Sequence, residues 1–456
     1  MNAISDIRTG EGLTMALAEQ ARSLRYQDIP DIARLWARQC ILDAIGCAIA
    51  GTSDELVDIL LAEMREQGGA ETASVFAKTG KLPPSSAALV NGAAAHALDF
   101  DDVNLAVPGH PSVAILPALL ALAEERGSSG ADVLTAFVAG YELQCRIGMV
   151  IAPGHYDRLG FHATATVGSF GAAAACAHLI GLETEVFARA LGIAGTQAAG
   201  LKSQFGTMCK PLHAGKASYN GLLAAKLAAR GFSSRTDIIE CSQGFARTHS
   251  PDFNPQRALE TPPGGWYVCN NLFKYHASCY MTHAAIDASR SLRETHGFHP
   301  EDIEAIDVRI EEACDRICNL PAPVTGLEAK FSLRLTTAMG LAGVDTSRLA
   351  SYSEDVAADP VLVALRDKVS LDLRSGISNT FSEVSLKLRD GRTLSAHHDS
   401  GVPASDPVNQ GARLEAKFIA LVDPVLGEKA AETLVNHIGR FDEQPNVLAI
   451  MAETSI

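Results

Sequence analysis

Three runs of small residues limit the architectures open to this 456-residue chain: NGAAAHAL at 91–98, GAAAACAH at 171–178 and GIAGTQAAG at 192–200. Side chains this short leave no room for wide helix spacing, so on helices such runs bring backbones into close approach. They lie within the first 245 or so residues, where apolar positions recur with helical period. Residues 31–50 place Ile32, Leu35, Trp36, Cys40, Ile41, Ala44, Ile45 and Ala48 on one stripe, with Pro30 before it and Gly51 after. Segments 111–125, 131–147, 163–179, 183–192 and 216–229 read the same way.

The pattern changes near residue 250, where SPDFNPQRALETPPGG is turn-like and marks a boundary. Beyond it Ile306, Val308 and Ile310 alternate with charged residues, as do Val384, Leu386 and Leu388 with polar ones. Asp390-Gly391 then turns the chain back into Thr393 and Leu394, and Val369, Leu371 and Leu373 suggest another strand. Helical stretches at 276–295 and 330–342 intervene, and helical period returns from about Asn409. The expectation is a mainly α protein: a large all-helical domain built from both chain ends, 1–265 and 405–456, with a smaller α+β domain inserted at 266–404.

Apolar residues at 47% and charged residues at 20% are ordinary for a globular chain. The net charge of -15 argues against nucleic acid or anionic membrane as a partner, yet a local cationic pocket can still draw a small anion. Ten cysteines show no C-x-x-C pair, so they read as reduced, buried thiols of a cytoplasmic protein. The opening MNAISDIRTGEG lacks the layout of a signal peptide, and no apolar stretch is expected to reach a membrane span of ~18 residues. Nucleotide loops, a G-x-S-x-G elbow and H-E-x-x-H are all missing. His110 and Asp99 could share a metal, but the histidines lack ligand spacing, so neither metal nor cofactor is expected.

Four segments gather reactive groups. NGAAAHALDFDDVNLAVPGHPS sets Asp99, Asp101, Asp102 and His110 in one loop, where three carboxylates demand compensation. RLGFHATATVGSFG places His162 at a helix start. LKSQFGTMCKPLHAGKA carries Lys202, Lys210, His213 and Lys216, with Pro211 and Gly215 suggesting a loop that feeds a helix whose N-terminus favours anions. NNLFKYHASCYMTH holds Lys274 and His276, and burial there would suit a lysine to general-base work.

In this order and spacing, with ARQCILDAIGCAIAG, AGYE and AKFSL besides, the segments resemble the MmgE/PrpD family. That family includes 2-methylcitrate dehydratase, cis-aconitate decarboxylase and iminodisuccinate epimerase. The resemblance implies a helical domain from both chain ends, an inserted α+β domain, and a site between the two. It puts catalytic residues at Asp99, His110, His162, Lys210 and Lys274, with Arg334, Asp102 and His213 as substrate-binding groups. The expected partners are a small polycarboxylate and a second copy of the chain in a homodimer.

The resemblance implies that the three family reactions can share a first step, removal of a proton from carbon next to a carboxylate. Lys210, Lys274 and Arg334 would hold carboxylates and the developing oxyanion, while His110, His162 and Lys274 would serve as base and acid. Asp99 would orient a histidine or a water. The chain departs from the family pattern at Val103, where decarboxylase-like members carry threonine, and at Arg334-Leu335, where Pro-Tyr is usual. An apolar pair and an added cation favour epimerisation of iminodisuccinate, ahead of a 2-methylcitrate-type dehydratase or a cis-aconitate-type decarboxylase. An inactive scaffold of the same fold is the non-enzyme alternative.

Overall fold

The computed structural model describes residues 12–456; the opening stretch read above for a leader lies outside them up to residue 11. The chain is mainly helical and forms two units, one of residues 1–273 with 405–456, the other of 274–404.

The first unit is built of helices, with one departure from the all-helical expectation: a short antiparallel ribbon pairs Ala73–Ser74 with Lys81–Leu82. Its principal helices are α1 (Asp31–Gly51), α2 (Pro84–Ala97), α3 (Pro111–Arg126), α4 (Gly130–Ile151), α5 (Ala163–Ile180) and α6 (Cys209–Ala229). The small-residue runs do what their size permits. A Cβ on Gly140 of α4 would come within 2.5 Å of the Gly171 carbonyl of α5, and one on Gly168 within 2.6 Å of the Ala114 methyl of α3. Helix α5 is long and apolar enough to cross a membrane, where the sequence reading expected no such stretch, but 83% of its apolar stretch is buried by the surrounding helices, which makes it a core helix.

Helices α2 and α6 cross at close range. A Cβ on Gly215 would stand 2.2 Å from the Leu89 carbonyl, and one on Gly92 would stand 2.9 Å from the Gly215 Cα. Helix α6 begins at Cys209, not at 216 as its Pro and Gly suggested. Pro211 falls in the first turn, where backbone N–H groups have no intrahelical acceptor to lose.

The second unit packs a four-stranded sheet against helices. Strands β1 (Ile303–Glu311), β2 (Val369–Arg374), β3 (Phe381–Leu388) and β4 (Thr393–Asp399) lie in the order β2-β1-β3-β4. β1 runs parallel to β2 and antiparallel to β3, with Val308 opposite Leu371 and Val384. Ile306, Val308, Ile310, Val384, Leu386 and Leu388 form one buried face with Ala285 and Leu292 of helix α7 (His283–His296) and Leu333, Ala338 and Leu341 of helix α8 (Leu333–Ala342). Helix α9 (Pro407–Leu426) returns to the first unit, where Lys417 donates to Asp43 Oδ1 at 2.5 Å and to the Phe100 carbonyl at 2.7 Å.

The α2–α6 crossing has no room for a methyl group. Gly215→Ala should lower stability by ~1–3 kcal/mol, the usual cost of overpacking. Gly439→Ala, on a helix with nothing within 4 Å of the added Cβ, should be neutral or stabilising. Urea unfolding of both variants checks this; equal effects would contradict the role given to Gly215.

Candidate active site

Helix α2 ends at Ala97, and the chain then turns sharply. Asp99 takes φ of 50°, a left-handed conformation that aspartate tolerates better than most residues, and its N–H donates to the His96 carbonyl at 3.2 Å. The turn sends the three carboxylates of DFDD in different directions. It is held by Lys417 on the Phe100 carbonyl and by a reciprocal pair of backbone hydrogen bonds between Val103 and Leu272, each 2.7 Å.

Three helix N-termini meet at this turn. His110 is the N-cap of α3, His162 the N-cap of α5, and Lys210 the second residue of α6. The His110 N–H donates to Thr164 Oγ1 at 3.0 Å, and Gly109 lets the chain pass, since a Cβ there would lie 2.6 Å from the same oxygen. The His162 N–H donates to the Gly200 carbonyl at 3.0 Å. Neither histidine caps its helix with its side chain, so both rings are left to the cluster. Helix N-termini carry partial positive charge and unsatisfied N–H groups, which suits anions.

The side chains form a connected set. Lys210 Nζ donates to Asp99 Oδ1 at 2.6 Å, and His110 Nε2 lies 3.6 Å from the same oxygen. His96 Nδ1 is hydrogen-bonded to both Asp101 oxygens at 3.0 Å, whereas His110 Nδ1, also 3.0 Å from Asp101 Oδ2, makes a charge contact without hydrogen-bond geometry. The His96 ring is 4.4 Å from that of His110 and stacks 5.8 Å from that of His162. His162 and His213 share a hydrogen bond between their Nδ1 atoms at 3.0 Å, and Phe205 meets His162 edge-on at 4.9 Å.

Burial sets the charge states. It pushes His96 down to about 4 against the pull of Asp101, and takes His162 well below the usual range with help from the neighbouring His96 and Lys210. His213 is lowered by burial and by Lys210. Burial would raise Asp101, but His110 and His96 overcome it and hold this carboxyl well below its ordinary value. The cluster therefore offers one buried carboxyl, Asp101, near imidazoles of His96, His162 and His213 that burial favours in the neutral form.

Asp99, His110, His162, Lys210 and His213 thus stand together. Asp102 does not join them: it accepts from the Ser112 hydroxyl at 2.5 Å and backbone at 3.3 Å, at the start of α3. Lys274 opens the second unit and is buried. Arg334 belongs there too, its guanidinium donating to Asn319 Oδ1 at 3.1 Å and to the Val369 carbonyl. Asp102 and Arg334 thus each have hydrogen-bond partners within their own units. His96 was missed. Its one sequence signal is an imidazole inside a run of alanines three residues before Asp99.

Donor atoms of His96, Asp99, Asp101 and His110 lie within 4.8 Å of one another, a set that a divalent ion could use. Charge compensation is already supplied at Asp99 by the Lys210 ammonium.

A profile of the MmgE/PrpD N-terminal domain matches residues 15–258, and one of the C-terminal domain matches 276–439. The chain is 29% identical to cis-aconitate decarboxylase of Homo sapiens, over 95% of this chain and 92% of that protein. It is 28% identical to cis-aconitate decarboxylase of Aspergillus terreus over 98% and 97%. It is 26% identical to 2-methylcitrate dehydratase of Escherichia coli strain K12 over 76% and 75%.

The carboxyl of Asp102 is pushed up to about 8 by burial and by the neighbouring Asp43 charge. Between about pH 4 and 8 the unfolded chain releases this proton while the folded one keeps it, so this group's contribution to stability fades as pH rises. Asp102→Asn lacks the effect. Its stability relative to wild type should improve steadily from pH 5 to pH 8 in urea titrations; a constant difference would contradict this assignment.

Proposed function

Because the chain belongs to the MmgE/PrpD family, we propose that it is a lyase acting on a small tricarboxylate through proton transfer, with decarboxylation of a cis-aconitate-type substrate first and dehydration of a 2-methylcitrate-type substrate second. The observation that carries this reading is the meeting of three helix N-termini at His110, His162 and Lys210 in a chain of net charge -15. An anion has little other reason to approach such a protein.

Decarboxylation of an unsaturated tricarboxylate breaks one carbon–carboxylate bond. Carbon dioxide leaves, the released electron pair shifts the double bond, and the far alkene carbon takes one proton. Lys210 is assigned to a retained carboxylate, as the cation already 2.6 Å from Asp99. His110, backed by Asp101, is assigned to hand over the proton. His162, neutral and bonded to His213, is assigned to accept one where the substrate is to be dehydrated. Lys274 enters this reading by the family resemblance alone. The catalytic chemistry uses side chains throughout, and a cytoplasmic homodimer is the setting proposed for it.

Epimerisation of iminodisuccinate is the second reading. The two separately partnered imidazoles, His110 with Asp101 and His162 with His213, favour it, since epimerisation needs a base and an acid on opposite faces of one carbon. Arg334 no longer argues for it, given its contacts with Asn319 and Val369.

Incubation in D₂O with cis-aconitate, 2-methylcitrate and iminodisuccinate, followed by proton NMR, tests these readings. The expected result is loss of carbon dioxide from cis-aconitate with deuterium on a product carbon, or water lost from 2-methylcitrate. Deuterium exchange into iminodisuccinate alone would replace the lyase by the epimerase, and inertness towards all three would leave the inactive scaffold. On the active substrate Lys210→Ala should lose at least ~2.7 kcal/mol of transition-state stabilisation, about 100-fold in kcat/KM.

A further inference from the structure

His96 has no place in the reaction as described so far, and its geometry asks for one. It lies in the last turn of α2, 1% exposed, with Asp101 beneath it 0% exposed. Its Nδ1 is 3.0 Å from each carboxylate oxygen. A carboxylate can only accept, so the single proton of a neutral imidazole must sit on Nδ1 and be shared between the two oxygens. The opposite nitrogen, Nε2, is buried without a hydrogen-bond partner.

Stability does not account for this arrangement. A buried carboxylate held by neutral imidazole is expensive to desolvate, and an apolar pair of similar volume is often as stable or more so. The bare Nε2 adds the cost of an unsatisfied buried polar atom, ~1–3 kcal/mol. What the arrangement does achieve is orientation. Asp101 Oδ2 also lies 3.0 Å from His110 Nδ1, a close polar contact outside hydrogen-bond geometry, and the other nitrogen of that ring faces the Asp99 oxygen held by Lys210. A carboxylate free to rotate would not hold His110 in this pose.

We propose that His96 is a positioning residue: its Nδ1–H clamps the Asp101 carboxylate, and the clamped carboxylate fixes the ring of His110 against the Asp99–Lys210 pair. This rests on the reading that the cluster turns over a polycarboxylate. The chain of influence runs over two contacts, from His96 to Asp101 and from Asp101 to His110. It starts in a side chain that need not touch the substrate.

Three substitutions in the full-length protein separate the possibilities. In His96→Asn the amide N–H stands where Nδ1–H stood. In His96→Gln an amide reaches only the place of Nε2, and His96→Leu has no donor at all. On whichever substrate the wild type turns over, His96→Leu and His96→Gln should lose about 100-fold in kcat with KM within threefold, the scale expected when a catalytic group is misplaced by about 1 Å. His96→Asn should stay within about tenfold of wild type. A leucine variant within threefold of wild type would overturn the proposal. So would an asparagine variant as poor as glutamine, or a glutamine variant as good as asparagine. Should the leucine variant fail to fold by circular dichroism, the asparagine–glutamine pair still decides.

A second measurement needs no turnover. With ¹⁵N-labelled histidine, the pattern of ring nitrogen shifts that reports the His110 tautomer should change in His96→Gln and be kept in His96→Asn, beyond the small ring-current change common to both. The same tautomer pattern in His96→Gln as in wild type would overturn the clamp even if the wild type were inert towards every tricarboxylate offered, an outcome that would count against the proposed reaction alone.

Discussion

The crossing of α2 and α6 governs the site. Where Gly92 meets Gly215 the two backbones pass with no side chain between them. The C-terminal end of α2 carries His96 and leads into Asp99, and the N-terminal end of α6 carries Lys210. Only a crossing this close lets a lysine in the first turn of one helix reach, at 2.6 Å, an aspartate just past the end of the other. Interhelical distance is set by the side chains at the contact, so two glycines on facing helices act as a ruler for the ion pair beyond them.

Charge placement follows from that frame. Asp101 and Asp102 are neighbours in sequence, both fully buried, yet their environments drive them apart: imidazoles hold Asp101 ionised, while Asp43 and burial keep Asp102 protonated up to about 8. One carboxylate is thereby available to orient a histidine, and the other behaves as a neutral hydrogen-bonding group at the start of α3. Lys417 settles the remaining carboxylate, Asp43, and stands 3.9 Å over the Phe100 ring in the same loop.

Much of this was legible in the chain because helical period and small-residue runs report backbone packing directly. The segments 31–50 and 163–179 appear as α1 and α5 within a residue or two. The start of α6 was misplaced because Pro211 and Gly215 read as breakers. In the structure the proline lies in the first turn and the glycine at a crossing, so both are compatible with helix. Asp102 and Arg334 illustrate a different limit. A motif shows which residue types are near one another, but which way each side chain turns depends on partners far along the chain or across a sheet, such as Ser112 and Val369. His96 was hidden for the same reason: a lone imidazole among alanines gives no hint that a carboxylate five residues on will fold back to meet it.

The tie from Lys417 to Asp43 and to the Phe100 carbonyl spans more than three hundred residues of sequence. During synthesis the ribosome delivers every member of the His96–Lys210 cluster, and then the whole of residues 274–404, before that lysine emerges. Until it does, Asp43 is a carboxylate destined for a dry interior with no counter-ion, and the loop bearing Asp99 lacks one of its anchors. The helical unit therefore cannot complete its interior from the N-terminal end alone. A nascent or truncated chain stopping short of α9 would be an incomplete core exposing buried carboxylates and apolar helix faces, which makes the emergence of α9 a precondition for the cell's folding machinery to let the chain go.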